Sequence, residues 1–358
     1  MQQTVTATVD TPLPAAPAVK SRYIVGSFYD GIFFIFSPLL ALGMGIAVSG
    51  SPLESTEVNV WGHKGSVLNL FIGSFIFAHL FIVFFRSHGN TQIFKLHPWR
   101  FTLVPVLLFA AILSSRWILI SVAVLAIWWD VYHSSLQTFG LGRIYDVKAG
   151  NSPALGRRLD YILNLLLYAG PILAGITLYD HMERSFDNYA TLGSVFLTSI
   201  PAYTESYHKF LTIGVVAFAG PFLSYYIYAY WRMSRQGYHV SMQKVLLYAS
   251  TALCSVYTWG FDTFGEAFFI MNFFHALQYF ALVWWTEQKT MISLFRLGNI
   301  PWGKPIALLL YLAVGFGYGL WAEVSNQQND IVFALVLVVS ILHFWYDGFI
   351  WSVRKKQV

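Results

Sequence analysis

The chain alternates between long apolar segments and short polar connections. A helix needs roughly 20 residues to cross the hydrocarbon core of a bilayer, and Pro105 lies inside the only segment that falls well short of this length. The predicted fold class is therefore all-α, a polytopic integral membrane helical bundle. The pattern predicts ten spans, at about residues 24–48, 66–85, 101–115, 117–140, 160–179, 208–231, 244–261, 265–286, 305–323 and 331–352.

Basic residues are concentrated in alternate connections. Short cytoplasmic loops collect Lys and Arg, and one side of the predicted bundle receives most of the 22 basic residues. This distribution predicts that the N and C termini are both cytoplasmic. The chain then divides into a disordered cytoplasmic tail at 1–22, a single transmembrane helical domain at 23–353 and a basic cytoplasmic tail at 354–358.

The composition points to a membrane location. The chain is 56% hydrophobic and only 11% charged, with a mean hydropathy of +0.56, whereas soluble domains carry about 25% charged residues. We expect a multi-pass protein of the cell membrane, the inner (cytoplasmic) membrane if the source is bacterial. Topology signals explain the net charge of +5, so no nucleic acid partner is expected. The single cysteine, Cys254, excludes an intrachain disulfide and Cys-rich metal sites.

Four histidines lie inside predicted apolar helices that all run in the same direction. Their distances from the next basic helix end place them roughly 10 to 21 Å from the cytoplasmic surface, at about 1.5 Å per residue. A single histidine in such a helix is more often a packing contact between helices than a metal ligand. Independent packing contacts, however, would not need one common depth. Ionisable groups inside a membrane usually mark a functional site, and we predict that one metal site contains His79, His133, His275 and His343.

Positions three or four apart share a face of a helix, and the histidines have polar neighbours at such spacings. Asp347 follows His343 by four residues, and Asp130 precedes His133 by three. We therefore add Asp130 and Asp347 to the predicted metal ligands. A second set of polar residues is predicted to orient the ligands or to relay protons: Asp30, Gln137, Asn272 and Gln278.

His88 follows the second predicted span. Gly89 and Asn90 allow a tight turn after it, so His88 is included among the predicted ligands as a residue that reaches back over the site. The alternative is an exposed basic loop near lipid headgroups. No catalytic residue can be assigned from the sequence.

Aromatic side chains flank the histidines along the same helices. Such residues can line a cavity for an apolar ligand, although ordinary packing explains any one of them. The predicted substrate pocket contains Trp129, Tyr132, Phe274, Tyr279 and Tyr346.

Imidazole and carboxylate ligands suit a transition metal, and we expect one or two ions of iron. His/carboxylate sites with an open position are used by non-haem iron oxygenases. The expected function is an integral-membrane, metal-dependent oxidoreductase, namely an oxygenase, hydroxylase or desaturase, acting on a lipophilic small molecule. Membrane lipids and an electron-donor protein are the expected partners. Two alternatives remain open: a haem b electron-transfer protein and a proton- or ion-coupled transporter that uses the Asp/His layer.

Overall fold

A computed structural model describes residues 22–175, 178–191, 199, 203, 206–261, 267–325 and 329–351. It is about 82% helical. Within these residues, six helices are long and apolar enough to cross a membrane, and a bent pair of helices at Ser27–Val48 makes a seventh if it counts as one span. The chain is thus an all-α bundle whose long helices suit a multi-pass membrane protein. The predicted tails, apart from Arg22, lie outside the described residues.

The elements of the described part follow one another along the chain, with two short strands in the connection before α4. They are α1 (Ser27–Asp30), a π-helix (Gly31–Ile35), α2 (Ser37–Val48), α3 (Pro52–Ser55), β1 (Glu57–Val60), β2 (His63–Ser66), α4 (Val67–Phe81), α5 (Val83–Ser87), α6 (Thr91–Leu96), α7 (Pro98–Leu113), α8 (Arg116–Lys148), α9 (Arg157–Ala174), α10 (Leu178–Thr191), α11 (His208–Arg235), α12 (Met242–Gly260), α13 (Ala267–Leu294), α14 (Gly303–Val324) and α15 (Asp330–Ile350). The strands pair antiparallel.

Each of the ten predicted spans coincides with helical structure. Three of these helices, however, are too short or not apolar enough to count as membrane-spanning by length and composition. They are α7, α9 and α12. α7 has only 16 residues and contains Pro105. α9 and α12 carry the buried charged residues Asp160 and Lys244, which suit a helix inside a bundle better than one facing lipid. The number of spans therefore stays a prediction.

The chain bends by 56° between the π-helix and α2. Pro38 lies in the first turn of α2, where a residue without a backbone N–H costs no helical hydrogen bond. The bend presents the carbonyl oxygen of Phe34 to α13, and Nε2 of Gln278 donates a hydrogen bond of 3.0 Å to it. A break in one helix thus fixes the position of another.

α13 is the central helix of the bundle. In an apolar stretch of 18 residues of α13, 78% of the residues are buried, whereas no residue is buried in the corresponding stretch of α11. α4 lies next to α14 at a point of very close approach, because a Cβ atom added to Gly319 would lie 2.0 Å from the carbonyl oxygen of Ser74. Small residues allow such contacts between helices in membranes. This packing sets the position of α4.

Some of the basic residues that support the topology prediction are buried in ion pairs. Nη1 of Arg143 lies 2.5 Å from carboxylate oxygens of both Asp146 and Asp160. Nζ of Lys244 lies 2.9 and 3.2 Å from the same two carboxylates, and Arg86 is also buried in an ion pair. A buried charge requires a partner. Ion pairing explains the positions of these cations just as well as a cytoplasmic location of their loops does. The orientation of the termini therefore stays a prediction.

Candidate metal centre

Four buried imidazoles meet between four helices. α4, α8, α13 and α15 each contribute one histidine, and none of these residues is more than 4% exposed. Neighbouring ring centroids are separated by 5.1 Å for His79 and His275, 4.9 Å for His275 and His133, 4.8 Å for His133 and His343, and 5.0 Å for His343 and His79. The four rings therefore form a closed circle, although their helices are far apart in sequence.

A carboxylate lies at one side of this circle. Oδ2 of Asp347 is 3.6 Å from Nε2 of His133 and 3.9 Å from Nε2 of His343. The two Nε2 atoms are 3.1 Å apart. Nitrogen ligands at about 2.0–2.1 Å from one ion are separated by about 3 to 3.5 Å in tetrahedral geometry. One oxygen and two nitrogens thus converge on a space of ionic size.

The other oxygen of Asp347 is held by two donors. The hydroxyl of Tyr279 donates a hydrogen bond of 2.7 Å to Oδ1, and the indole Nε1 of Trp351 donates one of 2.8 Å to the same atom. The guanidinium of Arg86 lies over the Trp351 ring, 4.3 Å from its centroid. Hydrogen bonds of this kind orient metal ligands and strengthen binding. They leave Oδ2 directed toward the histidines.

Two groups of side chains in the described part could hold a metal ion. One contains His79, His275 and His343, the other His133, His343 and Asp347, and within each group the ligand atoms lie within 4.8 Å of one another. Among the described residues, neither ring nitrogen of His275 has a hydrogen-bond partner. Buried polar atoms are normally paired, so two unpaired nitrogens inside an apolar helix call for a ligand. The donor set of nitrogen and oxygen suits iron, zinc, copper or manganese.

His88 is not brought to this cluster. Its Nδ1 lies 2.9 Å from Oγ of Ser87, and its Nε2 lies 3.0 Å from the carbonyl oxygen of Phe101. Both nitrogens are therefore engaged where α5 meets α7. Burial lowers the pKa of His88, and the contact with the Phe101 carbonyl partly opposes this shift. The tight turn expected after His88 is present, but it brings the residue to α7.

Asp130, a predicted ligand, and Asp30, predicted to orient the ligands or relay protons, belong to neither of the two groups that could hold a metal ion. Asp130 is buried on α8, one turn before His133, and interacts with Asn272. Asp30 accepts hydrogen bonds from three backbone amides that precede α1 and one of 2.9 Å from the hydroxyl of Tyr145. Asp30 therefore fixes the entry of the chain into the bundle.

The two predicted glutamines brace the helices that carry the histidines. Nε2 of Gln137 donates hydrogen bonds to the carbonyl oxygen of His275, at 2.9 Å, and to Oε1 of Gln278, at 3.0 Å. Nε2 of Gln278 in turn donates to the carbonyl oxygen of Phe34 and to Oγ of Ser37. These contacts hold the backbone of α13 at the site. Asn272 donates to a carbonyl of its own helix.

A cavity of about 370 Å³ adjoins the cluster and extends along α8 to α9. His133 and Asp347 line its inner end. Three of the five predicted pocket aromatics line it as well: Trp129, Tyr132 and Tyr279. Phe274 and Tyr346 do not. Phe274 lies near the ring of Tyr168, and Tyr346 packs edge-on against Phe101.

Sequence reasoning missed several residues of this region. Trp351 is not among the site residues predicted from the sequence, although its spacing of four residues from Asp347 could have revealed the hydrogen bond between them. Arg157 and Tyr161 line the cavity from α9. No local pattern connects them with α8, because only the packing of the two helices brings them together.

Comparison of the chain with protein-family models, with curated proteins and with solved structures finds no match. The functional assignment therefore depends on the geometry of the site itself.

Proposed function

We propose that the chain is an integral-membrane metalloenzyme that performs oxidative chemistry on a lipophilic substrate at its His/Asp cluster. The observation that carries this proposal is the closed circle of four buried imidazoles, in which His275 has both ring nitrogens unpaired among the described residues. Placing four imidazoles together in an apolar environment is costly. A bound cation offsets that cost, because it accepts the nitrogen lone pairs and neutralises the carboxylate of Asp347.

Iron is the first candidate for the bound ion. His79, His133, His275, His343 and Asp347 would hold it, and His343 belongs to both ligand groups, so either one or two ions are consistent with the proposal. Iron in such a ligand set would supply the redox chemistry that amino acid side chains lack. An electron-donor protein completes the proposed system.

The adjoining cavity supports an enzyme over a structural metal site. Structural sites are closed by their ligands, whereas catalytic sites keep an open position. Here the cavity reaches His133 and Asp347 directly, so a substrate can approach the ligands. The aromatic side chains that line the cavity suit an apolar molecule.

Haem b and ion transport are the competing functions. The imidazole rings lie 4.8 to 5.1 Å from their neighbours, so the circle leaves no slot for a planar macrocycle between facing rings. This packing favours a small ion over haem. A transporter would use the same histidines and Asp347 to carry protons or ions, without a tightly bound transition metal.

Elemental analysis of the purified protein tests the proposal. We expect the wild type to contain one or two iron ions per chain and the variant His275→Ala to lose most of them. His239→Ala is the matched control, because His239 is exposed in the loop before α12. Asp347→Asn keeps the shape of the side chain and tests the site without leaving a cavity.

The outcomes separate the alternatives. A wild type without stoichiometric metal, or a His275→Ala variant that retains it, contradicts the metal site. Zinc in place of iron contradicts the oxidative reaction but not the site. A Soret absorption band indicates haem, and pH-driven flux in liposomes by metal-free protein indicates transport.

We further propose that all ten predicted spans cross the membrane, with both termini cytoplasmic. Cys254 is only 1% exposed, so an introduced cysteine can be labelled over a low background. A membrane-impermeant maleimide added from outside should label Lys64→Cys on β2 but not Ser152→Cys in the connection between α8 and α9. Labelling of both positions from the same side would contradict the topology.

A further inference from the structure

The cavity beside the cluster follows one face of α8. His133, Gln137, Gly140 and Ile144 line it at helical spacing, and a rise of about 1.5 Å per residue gives this stripe a length of roughly 17 Å. The cavity volume of about 370 Å³ lies at the small end of the range for ligand pockets, which is about 300 to 1,000 Å³. The space is therefore narrow and elongated and suits a single chain.

The two ends of this cavity differ in charge. The inner end presents the carboxylate of Asp347. Arg143 and Arg157 line the outer end, which is the end farther from the four histidines. Arg143 is neutralised by Asp146 and Asp160. Arg157 is exposed, and within the described part of the chain it has no ion-pair partner. Arg157 therefore attracts an anionic group to the outer end.

Aromatic rings connect these two ends. The guanidinium of Arg157 lies over the ring of Phe139, 5.5 Å from its centroid. Phe139 is six residues after His133, which is about 9 Å along the helix. Phe344 and Trp129 line the cavity nearer the cluster. An acyl chain can follow these surfaces, with its reacting carbon at the histidines and its headgroup at Arg157.

We propose that the cavity binds a single-chain anionic amphiphile, a long-chain carboxylate, with its headgroup on Arg157 and its chain directed toward His133 and Asp347. This inference rests on the proposed function in treating the cluster as the place of reaction. The guanidinium can hold a carboxylate through two parallel hydrogen bonds. At about 30 Å³ per small group, the cavity holds roughly a dozen non-hydrogen atoms. This matches the carbon chain of dodecanoate, whose carboxylate oxygens lie at the exposed Arg157, so dodecanoate is a suitable probe.

Equilibrium binding of labelled dodecanoate tests the headgroup assignment. The protein is reconstituted in nanodiscs of zwitterionic lipid and treated with a chelator, so that binding does not depend on a metal. We expect Arg157→Gln to weaken dodecanoate binding about tenfold, as the loss of one partly exposed charge-assisted contact. Arg158→Gln is the matched control, since Arg158 is the next residue of α9, is also exposed, and does not line the cavity.

Dodecanol and dodecyl phosphate complete the set of probes. Dodecanol should bind to the wild type more weakly than dodecanoate does. The two ligands should bind to Arg157→Gln with about equal affinity. Dodecyl phosphate binding more tightly than dodecanoate would overturn the choice of a carboxylate. Equal effects of the two arginine variants would overturn the whole headgroup assignment.

Gly140→Leu tests the chain-binding part of the cavity. A Cβ added to Gly140 meets nothing within 4 Å, and Gly140 lines the cavity, so a leucine side chain there occupies part of the cavity. We expect it to weaken dodecanoate and dodecanol by a similar factor of about ten. Gly214→Leu on α11 also has open space and lies outside the cavity, so it should leave both affinities unchanged. Unaltered binding by Gly140→Leu would overturn the proposal.

Failure of this proposal can be distinguished from failure of the proposed function. If the wild type binds dodecanoate through Arg157 but purifies without metal, the cavity assignment stands and the metalloenzyme does not. If metal is present and lost in His275→Ala, but Arg157→Gln binds dodecanoate normally, the metal site stands and the carboxylate assignment fails.

Discussion

Tyr279 donates a hydrogen bond of 2.7 Å to Oδ1 of Asp347, and this contact joins the helix of His275 to the helix of His343. Tyr279 lies four residues after His275, one helical turn away, and Asp347 stands in the same relation to His343. The carboxylate is thus oriented by a residue of the partner helix. The geometry of the cluster depends on α13 and α15 keeping this register.

Replacement of Tyr279 by phenylalanine should weaken metal binding. The ring remains, but of the donors that the described residues supply to Oδ1 of Asp347, only Trp351 is left, so the carboxylate can rotate away from the histidines. Loss of such an orienting contact typically costs about 10- to 100-fold in metal affinity. Competition with a chelator of known affinity measures the change.

Tyr311→Phe is the control for this prediction. Tyr311 on α14 is also buried and donates a hydrogen bond of 3.1 Å to the carbonyl oxygen of Phe280, but it does not contact Asp347. It should lower stability by an amount similar to Tyr279→Phe while leaving metal affinity unchanged. Equal metal affinities of the two variants would show that Tyr279 has no orienting role.

Arg86 and Glu287 form a buried ion pair near the cluster, with side-chain exposures of 6% and 1%. Removing one member of such a pair leaves a buried charge and typically costs about 3 to 5 kcal/mol. We expect Arg86→Met to destabilise the protein by about this amount. It should also weaken metal binding, because the Arg86 guanidinium packs on Trp351, a donor to Asp347. Thermal unfolding in detergent and chelator competition measure the two effects.

The double variant Arg86→Met, Glu287→Leu separates these two effects. It leaves no unpaired charge, so much of the lost stability should return, whereas the packing on Trp351 is still absent. If the stability loss of the double variant equals the sum of the losses in Arg86→Met and Glu287→Leu, mutual neutralisation does not stabilise the pair.

The positions of the four histidines illustrate what a sequence pattern can predict. Membrane-spanning helices have fixed length and direction, so the distance of a histidine from a helix end gives its depth without knowledge of packing. The centroid distances show that the four rings meet. Depth alone does not specify rotation about the helix axis. For this reason Asp130 could be assigned to the ligands, although the structure places it beside Asn272.

The buried cations show where the sequence pattern is ambiguous. Lys244 and Arg143 follow the charge distribution expected of cytoplasmic loops, yet both are only 3% exposed and bridge Asp146 and Asp160. Lys244 and its partner Asp146 are 98 residues apart in the sequence and lie on different helices. A hydropathy profile cannot tell a paired buried charge from a solvated one, because pairing is decided by tertiary packing.

His88 should contribute to the dependence of stability on pH. Burial lowers its pKa in the folded state below the unfolded value of about 6.5. The neutral form is therefore favoured by folding, and its contribution is present above about pH 6.5 and is lost as the pH falls below that value. Unfolding of metal-stripped protein between about pH 7.5 and 5.5 should show a smaller loss of stability in His88→Gln than in the wild type.

His239→Gln is the control for this pH effect, because His239 is exposed. It should keep the full wild-type dependence. An identical pH profile for His88→Gln and His239→Gln would contradict the role assigned to burial at His88.

Gly319 determines how closely α14 approaches α4, the helix that carries His79. A Cβ at this position would lie 2.0 Å from the carbonyl oxygen of Ser74 and 2.9 Å from the backbone nitrogen of Ala78. Both contacts are with backbone atoms, so α4 itself must move. We expect Gly319→Ala to cost about 1 to 3 kcal/mol, as overpacking typically does, and to weaken metal binding by displacing His79.

Gly317→Ala in the same helix should have the opposite effect on stability. A Cβ there meets nothing within 4 Å, and replacing a helical glycine by alanine typically gains about 0.5 to 1 kcal/mol. Because Gly317 does not face α4, its substitution should leave metal affinity unchanged. Thermal unfolding together with chelator competition compares the two variants. A Gly319→Ala variant with wild-type metal affinity would show that the position of His79 does not depend on this helix contact.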